Sequence, residues 1–160
     1  MTMTDNPLIS IIMNCYNGEK YLQEALDSVI NQTYKNWELI FFDNLSTDNS
    51  QKIFNSYLDH RFFYYKSNTH IPLTQARNKA VNKCKGEFIA FLDIDDWWEN
   101  FKLEKQINFM EKNNEIISEI KKIGSQVIDY LSLYCRNPYK GFLPDIILYK
   151  IAITAITKRI

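Results

Sequence analysis

The sequence predicts an α/β fold, with a mainly parallel sheet, helices on both faces and a helical C-terminal segment. Three observations predict it. Apolar runs of strand length recur four times between residues 8 and 92, separated by three stretches with helical spacing. The run Phe88-Ile89-Ala90-Phe91-Leu92 has no polar alternation, as expected of a strand buried on both faces. The order β-α-β-α-β-α-β favours parallel pairing through right-handed crossovers.

The elements follow in order. Leu8 to Met13 is the first strand, opening after Pro7 and running into the turn-rich loop Asn14-Cys15-Tyr16-Asn17-Gly18. From Glu19 to Gln32 the apolar residues Tyr21, Leu22, Ala25, Leu26, Val29 and Ile30 recur at helical spacing. Trp37 to Phe42 is the second strand and ends on Asp43. The loop Asn44 to Ser50 offers several N-caps for a helix through about Leu58. Arg61 to Tyr65 is an aromatic strand, and a helix from Leu73 to about Cys84 follows, with Gly86 as its C′ stop. Glu87 to Leu92 is the fourth strand.

A doubly wound sheet of order 3-2-1-4 binds ligands outside the carboxyl ends of its strands, at the switch point between strands 1 and 4. That order gathers Asn14 to Gly18, Asp43 and Asp93 to Asp96 around one crevice. If the fourth strand stays extended, Asp93 and Asp95 point to the same side, with Cα atoms roughly 7 Å apart. Paired carboxylates repel unless a cation or donors intervene, and hard oxygen ligands of this kind suit Mg²⁺ or Mn²⁺ shared with a substrate's phosphates.

After Trp98, Phe101, Leu103, Ile107, Phe109 and Met110 mark an amphipathic helix ending near Asn113-Asn114. A second apolar stripe runs from Ile116 to Tyr134, then a loop from Arg136 to Gly141. Residues 143–160 are apolar, broken by Asp145 and Lys150, and read as a packed helix or one lying on a membrane surface. The chain divides into residues 1–114, carrying the sheet, and a helical extension, 115–160.

Composition narrows the function. The 160 residues carry 19 basic and 19 acidic side chains, so no basic face is offered to nucleic acid. Three widely spaced cysteines, without a C-x-x-C, argue against a disulfide framework or a zinc site. The N-terminus shows no signal peptide, and no run of about 18 apolar residues could span a membrane. The expected location is cytoplasmic, with the apolar tail a candidate contact for the inner membrane face or a partner chain. His60 and His70 lack partners at metal-ligand spacing and read as surface residues.

Four stretches resemble the family 2 glycosyltransferases of the GT-A fold, a Rossmann-like architecture. They are Leu8 to Asn17; Ser28-Val29-Ile30-Asn31-Gln32-Thr33-Tyr34 with Trp37 to Asp43; Ala76-Arg77-Asn78; and Phe91 to Trp98 with its D-x-D-D-W pattern. The resemblance covers roughly residues 8–114 and leaves the extension without a family match. It implies an inverting, metal-assisted enzyme that moves a sugar from a nucleotide diphosphate donor, UDP-linked, to a saccharide or lipid-linked acceptor. Asn14, Tyr16, Asp43, Arg77 and Asp93 would hold the donor. Tyr16 would stack on the base, Asp43 would accept its imide N–H, and Arg77 would pair with Asp43. Asp93 would meet the ribose or the ion's water shell, and Asp95 and Asp96 would bind Mn²⁺ or Mg²⁺. Trp97 and Trp98 read as packing beneath the site, with stacking on the acceptor as the alternative.

Two positions depart from the family. Leu45 stands where Gly is usual, and strains the loop by about 1–2 kcal/mol if its φ is positive. Asn14 stands where Pro is usual. No catalytic base is identifiable, because nothing after Glu115 matches the family's acidic pair. The alternative readings are a truncated or degenerate chain that binds nucleotide-sugar without turnover, and a nucleotidyltransferase. The last needs a Gly-rich basic loop after the first strand, whereas Asn14 to Lys20 holds one Gly and one Lys.

Overall fold

A computed structural model describes residues 6–112. The elements are β1 (Ile9–Cys15), α1 (Leu22–Ile30), β2 (Trp37–Asp43), α2 (Ser50–Asn55), β3 (Phe62–Lys66), α3 (Leu73–Val81), β4 (Phe88–Phe91) and α4 (Lys102–Lys112). The readings of residues 115–160 as an extension with two further helical segments lie outside the described residues. The chain forms two compact units, 1–105 and 106–160. The first unit carries the whole sheet.

The four strands lie in the order β3-β2-β1-β4, all parallel, as the strand pattern predicts. The α/β class and the Rossmann-like architecture follow directly. All seven residues of β2 are buried, and apart from Glu38 and the terminal Asp43 all are apolar, as expected of a strand covered on both faces. Alternation then sorts side chains onto two faces. On one face Ile12, Ile40, Phe42 and Ile89 pack against Ala76 and Ala80 of α3. The other face stacks Phe41 on Phe54 of α2 and on Tyr64 of β3, with ring centroids 4.4 and 5.8 Å apart. Helices therefore cover both faces. The aromatic strand β3 serves both, giving Phe62 and Tyr64 to α2, and Phe63 and Tyr65 to the α3 cluster.

Several helices end earlier than their apolar spacing suggests. Past α2, Ser56 and Tyr57 donate to carbonyls three residues back, and Leu58, the expected end, is 97% exposed with nothing to bury it. Past α3, Lys83 and Cys84 close the same tight turns. Gly86 acts differently from the expected helix stop. A Cβ there would lie 2.5 Å from the Ser10 backbone nitrogen and 2.7 Å from the Leu8 carbonyl oxygen, so only glycine lets β4 come alongside β1. Its N–H donates to Ser10 Oγ at 2.7 Å, and Ser10 in turn donates to buried Glu38.

Gln32 explains the Gln32-Thr33-Tyr34 stretch structurally. Fully buried, it donates to the carbonyls of Ser28 and Glu99 and accepts from the Leu103 N–H at 3.1 Å. One orphan donor in the first turn of α4 is thereby satisfied, and the chain beyond β4 is fixed to the end of α1.

Candidate functional site

The carboxyl ends of β1, β2 and β3 are bound together by hydrogen bonds between their loops. The Asn17 N–H donates to Ser46 Oγ at 3.0 Å, and the Thr47 N–H returns to Asn17 Oδ1 at 2.9 Å. The Gly18 N–H donates to Ser50 Oγ at 2.9 Å, and the Glu19 N–H to Asp48 Oδ2 at 2.9 Å. On the other side, the Asn44 amide pairs reciprocally with Ile71, donating to its carbonyl at 2.7 Å and accepting from its N–H at 3.1 Å. The loops after β1 and β3 are thus anchored to the end of the strand between them.

Asp43 stands at that point and is fully buried. Its Oδ1 accepts from the Ser46 N–H at 2.7 Å, and its Oδ2 accepts from the Tyr64 hydroxyl at 2.5 Å. Lys66 Nζ lies 3.8 Å from Oδ2. Burial, then the bond to Asp43, push the Tyr64 phenol above its ordinary range, so Tyr64 is the donor and the carboxylate the acceptor. Between Asp43 and Ser46, Leu45 adopts φ +70°, the left-handed conformation that favours glycine.

The carboxylates after β4 differ from the extended geometry expected of them. The strand stops at Phe91, the Leu92 N–H still donates to the Ile12 carbonyl, and the Asp96 N–H then closes a turn onto the Asp93 carbonyl at 3.1 Å. Parity along an extended strand therefore does not relate Asp93 to Asp95. All three aspartates are exposed. Ile94 packs on the first loop, so close that a Cβ on Gly18 would lie 2.3 Å from Ile94 Cδ1. That contact brings the acidic turn beside the Asn14–Gly18 loop.

Arg77 differs from expectation too. Its Nη2 donates to Asp93 Oδ1 at 2.9 Å, while the cation beside Asp43 is Lys66. Arg77 lies on α3, and the tight turn after β4 brings Asp93 within its reach. Tyr16 is half exposed, and its ring meets His70 edge-on with centroids 4.3 Å apart. Because β2 lies between β1 and β3, this contact joins the loops that flank Asp43. Asn14, the last β1 residue on the α3 face, has both amide atoms buried without a hydrogen-bond partner among the described residues. The two tryptophans part ways: Trp98 is buried beneath the Lys102 ammonium, 4.0 Å from its ring, and Trp97 is 57% exposed.

Tyr64, Lys66 and His70 were not flagged as site residues by their types. The strand order contained the signal for the first two, since it sets the end of β3 beside Asp43. As for a cation, no group of three His, Cys, Asp or Glu side chains among the described residues could hold one. Exposed carboxylates nevertheless have the donor chemistry for Mg²⁺ or Mn²⁺, which often take one or two carboxylates with substrate phosphates. They fit such an ion provided that a diphosphate completes its shell.

Comparison with known proteins agrees with this arrangement. The sequence profile of Glycosyl transferase family 2 matches residues 10–157. The match runs past the motif-bearing stretch, so most of the segment 115–160, expected to lack a family match, lies within it. An uncharacterized glycosyltransferase of Haemophilus influenzae is 41% identical over 84% of this chain and 60% of its own length. WfgD of Escherichia coli, a UDP-Glc:alpha-D-GlcNAc-diphosphoundecaprenol beta-1,3-glucosyltransferase, is 43% identical over 69% of this chain and 44% of its own. Among solved structures, S. aureus TarS 1-349 in complex with UDP-GlcNAc superposes with TM-score 0.63 and 29% identity, covering 66% of this chain and 32% of that one. The chain spans 40–60% of the length of the curated relatives it matches.

Proposed function

The chain belongs to Glycosyl transferase family 2, and from that premise we propose that its crevice binds a nucleotide diphosphate sugar, UDP-linked, for transfer to an acceptor hydroxyl. One observation carries the reading. Tyr16 in the loop after β1, Asp43 at the end of β2, Arg77 on α3 and the turn Asp93 to Asp96 lie toward the carboxyl edge of a β3-β2-β1-β4 sheet, the expected ligand position in such a fold. TarS, crystallised with UDP-GlcNAc, and WfgD, named for a UDP-Glc donor, support the choice of nucleotide.

Tyr16 stacks on the base. A carboxylate offers about four acceptor sites, and Ser46 and Tyr64 use two of those on Asp43. A third accepts the imide N–H, and because Asp43 is fully buried a neighbouring side chain must move first. Asn14, Arg77 and Asp93 line the middle of the donor. Asp95 and Asp96 hold Mn²⁺ or Mg²⁺ together with the diphosphate. A divalent cation there neutralises charge developing on the leaving diphosphate. The transfer inverts the anomeric carbon: a general base takes the acceptor's proton as its oxygen attacks, and the bond to the diphosphate breaks. None of the described residues is assigned as that base. The acceptor is a saccharide or a lipid-linked saccharide, the class for which WfgD is named. A lipid-linked acceptor sets the reaction at a membrane surface, with the apolar segment 143–160 as the candidate contact.

Thermal denaturation with UDP and Mn²⁺, on wild type and Asp95→Ala, tests the reading. The melting temperature rises in wild type only when both ligands are present, and the variant loses that rise. No metal-dependent rise in wild type, or an equal rise in both proteins, removes the cation assignment.

A further inference from the structure

Asn14 is the one donor-side residue whose polar atoms are both buried and unpaired among the described residues. An amide in that state raises the free energy of the folded chain, because neither its N–H groups nor its carbonyl recover the bonds lost with water. Its position says what could repay them. The pairs Ile12↔Ile40 and Asn14↔Phe42 set Asn14 on the same face as Ile12, Phe42 and Ala76, directly beyond Ile12. Arg77 follows Ala76 on α3. The β1–β4 register ends at Ile12↔Phe91 with the Leu92 N–H still donating to the Ile12 carbonyl, so the chain enters the turn at Asp93 beside the end of β1 that carries Asn14. Two residues on from Asn14 is Tyr16. Asn14 therefore lies between the ring proposed to stack on the base and the acidic turn proposed to face the diphosphate.

In a nucleoside diphosphate the ribose joins those two parts. Its vicinal hydroxyls each donate and accept, which matches an amide offering a free donor and a free acceptor side by side. We infer that the Asn14 side chain binds the ribose hydroxyls of the donor nucleotide, with Asp93, held by Arg77, as its neighbour. Proline, usual at this position in the family, has no side-chain group for that contact. The inference rests on the nucleotide-sugar reading.

A cycle between protein and ligand tests it. Affinities of UDP, 2′-deoxy-UDP and 3′-deoxy-UDP, with Mn²⁺, are measured for wild type, Asn14→Leu and Asn14→Ala. Asn14→Leu removes an unpaired buried amide at similar volume, so the unliganded variant melts at a higher temperature than wild type. It nevertheless binds UDP about tenfold more weakly. Wild type loses a similar factor on at least one deoxy analogue, and the variant loses nothing further on that analogue. A gain in stability with a loss of affinity is the signature that a structural asparagine does not produce. If the leucine variant fails to fold, the alanine variant carries the same cycle. Unchanged UDP affinity overturns the assignment. So does a loss equal for UDP and both analogues, which moves the amide's partner to the base or the diphosphate. If wild type binds no UDP at all, the nucleotide reading itself fails, and this inference with it.

Discussion

Arg77 Nη2 donates to Asp93 Oδ1 at 2.9 Å, joining α3 to the acidic turn after β4. The two side chains are 38% and 54% exposed, so water screens the pair and it adds under about 1 kcal/mol to stability. Its consequence is positional: Asp93 is held in one orientation before any ligand arrives. Arg77→Ala therefore melts within a few degrees of wild type but binds UDP at least about tenfold more weakly. Calorimetric titration beside a melting curve separates the two effects. A large drop in melting temperature would instead make Arg77 a structural residue.

At the other end of the crevice, the Tyr64 hydroxyl is a partly buried donor to a fully buried carboxylate. Tyr64→Phe leaves Asp43 Oδ2 with only Lys66, 3.8 Å away, and costs about 1–3 kcal/mol. The pH dependence has a definite sign. Burial, then the bond to Asp43, raise the Tyr64 pKa, and burial, then the bond to Asp27, raise that of Tyr57. Above about pH 10 the unfolded chain releases these protons first, so the folded state is stabilised less as pH climbs further. Urea denaturation above that point shows stability falling with pH as the two phenols ionise in the unfolded chain. The fall is shallower in Tyr64→Phe, because one of the two groups no longer titrates.

Leu45 pays a conformational cost at φ +70° in the loop that closes onto Asp43. Relief of about 1–2 kcal/mol is offset by the greater freedom that glycine has in the unfolded chain, about 0.5–1 kcal/mol. Leu45→Gly is thus stabilising by roughly 0.5–1 kcal/mol, read as a higher urea midpoint at unchanged slope. A lower midpoint would show that the half-buried leucine side chain contributes more by packing than its backbone costs.

The sheet could be read from the chain because its central strands are buried on both faces and carry almost no polar interruption. Their order is that of a doubly wound sheet, which the β-α alternation suggests, and it brings Asp43 and the acidic stretch to one edge. What escaped the sequence depends on where pairing stops. Parity between Asp93 and Asp95 assumes a continuing strand, but β4 pairs with β1 only as far as Phe91. The turn that follows gives Arg77 a carboxylate nearer than Asp43. Tyr64 was hidden because a tyrosine in a β-strand looks like packing, and only the register Phe41↔Tyr64, Asp43↔Lys66 shows its end beside Asp43. The positive φ of Leu45 was legible only through the glycine usual at that position.

Gly18 ties the two halves of the crevice together by having no side chain. A Cβ there would come 2.3 Å from Ile94 Cδ1 and 3.0 Å from Cys15 Sγ. Cys15 is buried in the strand end and has little room, whereas Ile94 Cδ1 is the tip of a flexible side chain, so Ile94 is the group that moves. Ile94 is flanked by Asp93 and Asp95, and its displacement shifts the carboxylates on either side. Gly18→Ala accordingly lowers the Mn²⁺-dependent affinity for UDP more than it lowers stability. Ile94→Val deletes the colliding atom, so the double variant Gly18→Ala/Ile94→Val recovers most of the lost affinity. Independent, additive losses in the two single variants and the double would break the link between the first loop and the acidic turn.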